Sequence, residues 1–136
     1  LKWYFVIKVK YVSFVVSYRK IILYNIVMNK EIFNIYKNIK FSEDRELEEI
    51  IYEDRDIKIL RTMSLNQVTQ VYDQKEIELV FLISGSAKIK FIKGKILKLE
   101  EGDFLEIKAH EKHQVVFQNK AVWICLFRKR SIIEEK

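Results

Sequence analysis

Apolar and polar residues alternate in short runs through the second half of the chain. Ser86-Ala-Lys-Ile-Lys-Phe-Ile92 places Ala87, Ile89 and Phe91 on one face and Lys88 and Lys90 on the other. That is the two-residue period of a strand with one buried side. Further short runs read as strands at 57–65, 77–84, 96–99, 104–107, 113–117 and 121–127. Lys93-Gly94-Lys95 predicts a hairpin turn and Glu101-Gly102-Asp103 a second turn, while Gly85 ends the run before Ser86. No long helical period interrupts the series. Short strands at close spacing predict an all-β antiparallel sandwich or barrel.

The first part of the chain reads differently. Residues 29–41 suggest a short strand with a turn. Residues 42–56 are dense in acids, and are read as a solvated face and loop with Leu47, Ile50 and Ile51 touching the core. Residues 1–27 are apolar, aromatic and basic. Lys8, Lys10, Arg19 and Lys20 break them into pieces too short for a spanning helix, which needs roughly 20 mostly apolar residues. The scattered charges and the lack of a small-residue cleavage site also argue against a signal peptide. Three readings stay open: an upstream extension with Met28 as the true start, which we favour, an added strand or helix packed on the barrel, or an interfacial membrane anchor. The expected organisation is an atypical extension at 1–27, a barrel at 28–130 and a charged tail at 131–136.

Composition and charge narrow the function classes. The chain has 136 residues, 49% hydrophobic and 32% charged, a globular composition. Its net charge of +6 would draw attention to nucleic acid. However, residues 1–30 hold Lys2, Lys8, Lys10, Arg19, Lys20 and Lys30 and no acid. The other 19 of the 25 basic residues are matched by 19 acidic ones. The barrel region is therefore formally neutral, and no nucleic-acid partner is expected. The single cysteine, Cys125, lies in the apolar run 121–127. It reads as a small buried hydrophobe in a reducing compartment, so a cytoplasmic location is expected. Trp123 in the same run is read as core or as a dimer surface.

Two short motifs carry the chemistry. Glu78 is followed seven positions later by Gly85. Gly102-Asp103 opens a second stretch that reaches Lys108-Ala109-His110 and His113. In these spacings the chain resembles the cupins over roughly residues 31–128. Tyr72-Asp73-Gln74 and Ala109-His110-Glu111-Lys112-His113 are similar to stretches in a group of small, largely uncharacterised single-domain bacterial cupins. The resemblance implies an antiparallel jelly-roll barrel. It also implies a metal held by three His and one Glu, of which only Glu78 and His113 match here. The first-motif histidine positions fall on Tyr72 and Gln74, or on Val71 and Asp73. His110 takes the place of a turn glycine.

The expected site follows. Glu78 and His113, with Asp73 or His110, are candidate ligands for a divalent metal, Fe, Mn, Ni or Zn. Tyr72, Gln74 and Glu78 are candidate ligand-binding residues. Equally, Glu78 is a costly carboxylate on an apolar strand that His113 or a lysine would pair, leaving a metal-free polar pocket. The expected function is binding of a metal, a small molecule or both inside the barrel. The alternative is a metal-free sensing or dimeric assembly module, a homodimer in which strand 121–127 is the candidate surface. The sequence assigns no reaction.

Overall fold

The computed structural model describes residues 4–9, 12–17 and 31–130. The chain divides into two compact units, Leu1–Asn34 and Ile35–Lys136. In the first, β1 (Tyr4–Val9) and β2 (Val12–Ser17) pair antiparallel, Tyr4 opposite Ser17 and Val9 opposite Val12. Residues 1–3, 10, 11 and 18–27 of the expected extension and the charged tail at 131–136 lie outside the described residues.

The second unit is one antiparallel sheet of six strands: β3 (Leu47–Glu53), β4 (Ile57–Ser64), β5 (Ile77–Phe91), β6 (Ile96–Glu100), β7 (Phe104–Ile107) and β8 (His113–Arg128). The order is β3-β4-β8-β5-β6, with β7 also on β5. Two strands are much longer than the sequence suggested. The runs at 77–84 and 86–92 join in β5, and those at 113–117 and 121–127 join in β8. β5 and β8 pair along their whole length, with register shifts between Leu82 and Ser86.

Those shifts are where both strands bend, and they explain the glycine. Gly85 has a φ of +84°, and a Cβ there would sit 2.3 Å from the Lys120 carbonyl oxygen. Lys120 is itself left-handed at φ 46°. Only glycine combines that backbone angle with so close an approach. Bent in this way, the sheet wraps round one interior. Its core is Leu60, Val80, Leu82, Ala87, Ile89, Leu99, Ile107, Ala121, Trp123 and Cys125.

Two sequence expectations are corrected here. Residues 47–53 form strand β3 rather than a loop, paired with β4 from Leu47 opposite Met63 to Glu53 opposite Lys58. The acids concealed the strand because its two faces both carry Glu. Glu49 points to Arg61, which lies on the outer face of β4 and is 1% exposed; Arg61 Nε–H donates to Glu49 Oε2 at 2.8 Å. Arg61 also donates to the carbonyls of Ile35 and Lys37, at 3.0 and 2.7 Å. Residues 31–41 are a turn with no strand, and that buried arginine ties 35–37 to the sheet. Trp123, 4% exposed and inside β8, is core. No helix among the described residues is long and apolar enough to cross a membrane.

Candidate functional site

Strand alternation decides which side chains meet. On β5, Glu78, Val80 and Ile89 face inward; on β4, Leu60 and Thr62; on β8, His113, Val115, Trp123, Cys125 and Phe127. The segment before β5 is held to the start of β8 by a two-way bridge. Tyr72 donates its N–H to the His113 carbonyl at 2.7 Å, and His113 returns one at 3.2 Å. This extended segment alternates like a strand, so Tyr72 and Gln74 turn inward and Asp73 turns out. Together these residues line a partly open cavity of about 140 Å³.

At its polar end stand Glu78, 8% exposed, and His113, 3% exposed. Gln74 Nε2 donates to Glu78 Oε2 at 2.8 Å. His113 Nε2 lies 4.0 Å from the same oxygen, beyond hydrogen-bond reach. On its other side, His113 Nδ1 meets the Glu111 carbonyl at 2.8 Å. A carbonyl only accepts, so Nδ1 carries the proton, and in the neutral ring Nε2 presents its lone pair to the cavity. Burial raises the Glu78 carboxyl above its ordinary value, against the opposing effects of the Gln74 amide, the nearby imidazole and the Cys125 thiol. A carboxyl held there beside an imidazole is a pair able to accept and return a proton.

Of the expected site residues, Tyr72, Gln74, Glu78 and His113 come together. The Tyr72 and His113 rings lie 5.6 Å apart between centroids. His110 and Asp73 come together elsewhere, on the surface, with His110 Nδ1 2.9 Å from Asp73 Oδ1 and the His110 side chain 70% exposed. The reason is backbone geometry. His110 is left-handed at φ 59° and donates its N–H to the Gln74 carbonyl at 2.6 Å. That left-handed backbone throws its ring outward. The expected set of Glu78 and His113 with Asp73 or His110 is therefore not assembled.

This bears on the metal that the cupin resemblance implies. Two protein donors fall short of the three or four that hold a divalent ion. The amide of Gln74 is already spent on Glu78. Among the described residues no group of three or more His, Cys, Asp or Glu is placed to hold a metal. The donor set does not fit the family's metal.

Three features escaped the sequence reading. Cys125 is in the cavity wall, its thiol pushed well above its ordinary value by burial and by the carboxylates of Glu78, Glu48 and Glu46. Glu46 and Glu48 both line the cavity, Glu46 half-buried and Glu48 at its exposed rim. Gln118 joins Trp123 to Glu46: the indole Nε1 donates to Gln118 Oε1 at 2.8 Å, and Gln118 Nε2 donates to Glu46 Oε1 at 2.6 Å. The two-residue spacing of Glu46 and Glu48 was the available clue, hidden among neighbouring acids.

No protein-family model matches the sequence, and no curated protein does. Solved structures do match the fold. A protein of Ralstonia eutropha provisionally assigned as a mannose-6-phosphate isomerase is 24% identical with a TM-score of 0.69, over 74% of this chain and 99% of its own. An RmlC-like cupin of Desulfovibrio desulfuricans is 14% identical with a TM-score of 0.64, over 72% and 95%. A cupin superfamily protein of Desulfitobacterium hafniense is 16% identical with a TM-score of 0.61, over 66% and 83%. Identities this low speak for the fold and not for an activity. With the six-stranded wrapped sheet and its interior cavity, they show that this chain is a small protein of the cupin fold.

Proposed function

We propose that the barrel binds a small organic molecule in its cavity, anchored by Glu78 and His113 and oriented by Gln74 and Tyr72. The observation that carries this reading is a pair of buried acceptors, Glu78 Oε2 and His113 Nε2, 4.0 Å apart and both open to the cavity. Glu78 Oε2 accepts from the Gln74 amide and keeps a second lone pair, and His113 Nε2 is left to the cavity, so both can accept from a ligand. Apolar walls with a few convergent polar groups are the common form of a small-molecule site. The phosphosugar suggested by the Ralstonia protein does not carry over. Among the described residues, the lining holds three glutamates and neither lysine nor arginine, so nothing in it favours a phosphate.

The test is a thermal-shift screen of the full chain against polar metabolites, repeated with His113→Ala and Glu78→Ala. At least one compound is expected to stabilise the wild type and neither variant. If every stabilising compound acts equally on all three proteins, the cavity is not the site. Metal analysis after growth in metal-supplemented medium distinguishes the metalloprotein alternative. Stoichiometric metal that disappears in His113→Ala would contradict the donor-set argument.

A further inference from the structure

We propose that the ligand of this cavity is a small organic cation whose ammonium or amidinium N–H groups bridge Glu78 and His113. This rests on the reading of the cavity as a small-molecule site and names the charge of what enters it. Three observations lead there.

The first is the charge of the lining. Glu46, Glu48 and Glu78 face one cavity, and no lysine or arginine among the described residues lines it. The barrel does possess a buried cation, Arg61, but it lies on the opposite face of β4 and is engaged by Glu49. Strand alternation sends Glu49 to that arginine while Glu46 and Glu48 turn inward. Glu46 is fixed in place, since Ser64 Oγ and Gln118 Nε2 both donate to its Oε1, at 2.8 and 2.6 Å. The three carboxylates act together, each raising the proton affinity of the Tyr72 hydroxyl and of the Cys125 thiol.

The second is His113. Its ring is almost wholly buried, its Nδ1 is committed to a carbonyl, and its Nε2 faces the cavity with Glu78 4.0 Å away and no hydrogen-bond partner.

The third is what two acceptors at that spacing accept. A protonated nitrogen carries several donors and reaches both at about 2.9 Å each. A hydroxyl has one proton and satisfies one of them. A carboxylate or phosphate brings further acceptors into an acidic cavity. Burial strengthens the preference, because a charge pair there is screened far less than at the surface.

The chain has only two histidines, His110 and His113, so the imidazole Cε1–H resonances report the cavity and supply a surface control. The experiment titrates the full chain at neutral pH with n-butylammonium, butan-1-ol and butyrate, which are matched in size. The ammonium is expected to move the His113 resonance and leave His110 in place. Its dissociation constant should be tighter than that of the alcohol by about tenfold, which corresponds to about 1.4 kcal/mol. Glu48→Gln, at the exposed rim, is expected to weaken the ammonium severalfold and leave the alcohol unchanged. Alcohol or butyrate binding as tightly as the ammonium would overturn the cationic assignment and leave the small-molecule site standing. A His113 already in its imidazolium form in the free protein would also overturn it, because the site would then hold its own donor. If none of the three compounds moves His113, both the assignment and the site reading fail.

Discussion

At the scale of single residues, His110 and His113 show how three positions separate two fates. His113 begins β8 and alternation carries it inward. His110 sits in a left-handed turn and is carried outward. Spacing alone made both candidates, because the φ of a turn residue is not written in a sequence that puts histidine where glycine is usual. His110→Gly should therefore leave stability within about 1 kcal/mol of wild type in chemical denaturation, since relief of the left-handed backbone offsets the loss of an exposed hydrogen bond to Asp73. A loss above about 2 kcal/mol would mean that the Asp73 contact is structural. Glu78 makes a second test. Its carboxyl is raised in the folded protein, so between the unfolded and folded values the native state binds the proton more readily. Stability is then fullest below the unfolded carboxylate value and falls as pH rises through the folded one. Glu78→Gln should flatten that fall and raise the melting temperature at neutral pH. An unchanged pH profile would show that the burial of Glu78 has no energetic consequence. The oddity of Glu78 was visible beforehand as a lone acid on an apolar strand. Its link to Cys125 was not, because the thiol reads as one more apolar residue.

At the scale of elements, β5 and β8 each appeared as two short strands and are each one long bent strand. The alternation was read correctly. What it could not show was that Gly85 marks a bend within a strand and not an end, since glycine signals both. The close approach of Gly85 to the Lys120 carbonyl distinguishes them. Gly85→Ala should destabilise the barrel by about 3 kcal/mol or more, from the left-handed backbone and the collision with a main-chain oxygen. Gly94→Ala, where a Cβ meets nothing, should cost only the strain of the left-handed backbone, about 1–2 kcal/mol. Equal losses at the two glycines in urea denaturation would count against the bend. β3 was missed for an electrostatic reason. It places acids on both faces, one set against Arg61 and the other in the cavity, so the usual apolar-in, polar-out contrast is absent.

At the scale of the whole molecule, every residue that lines the cavity lies between Glu46 and Phe127. The core cluster lies between Leu60 and Cys125. The basic excess of the sequence lies before residue 31. Fold and cavity thus belong to the second unit, and the chain lacking residues 1–27 should keep its melting temperature, its His113 resonance and its ligand binding. Loss of binding on that truncation would tie the first unit to the site. Greater liposome partitioning of the full chain than of the truncated one would favour the membrane-anchor reading of residues 1–27. The antiparallel barrel was legible at this scale because strand period, turns and motif spacing agreed. The cavity's acidic lining was not, because it depends on which face of each strand turns inward.

The most direct test of the Glu78–His113 site is a crystal structure of the full chain soaked with small polar fragments. A fragment is expected in the cavity with a polar atom within about 3 Å of both Glu78 Oε2 and His113 Nε2. Fragments that settle only on the outer surface, while the two side chains close on each other in a direct hydrogen bond, would contradict it.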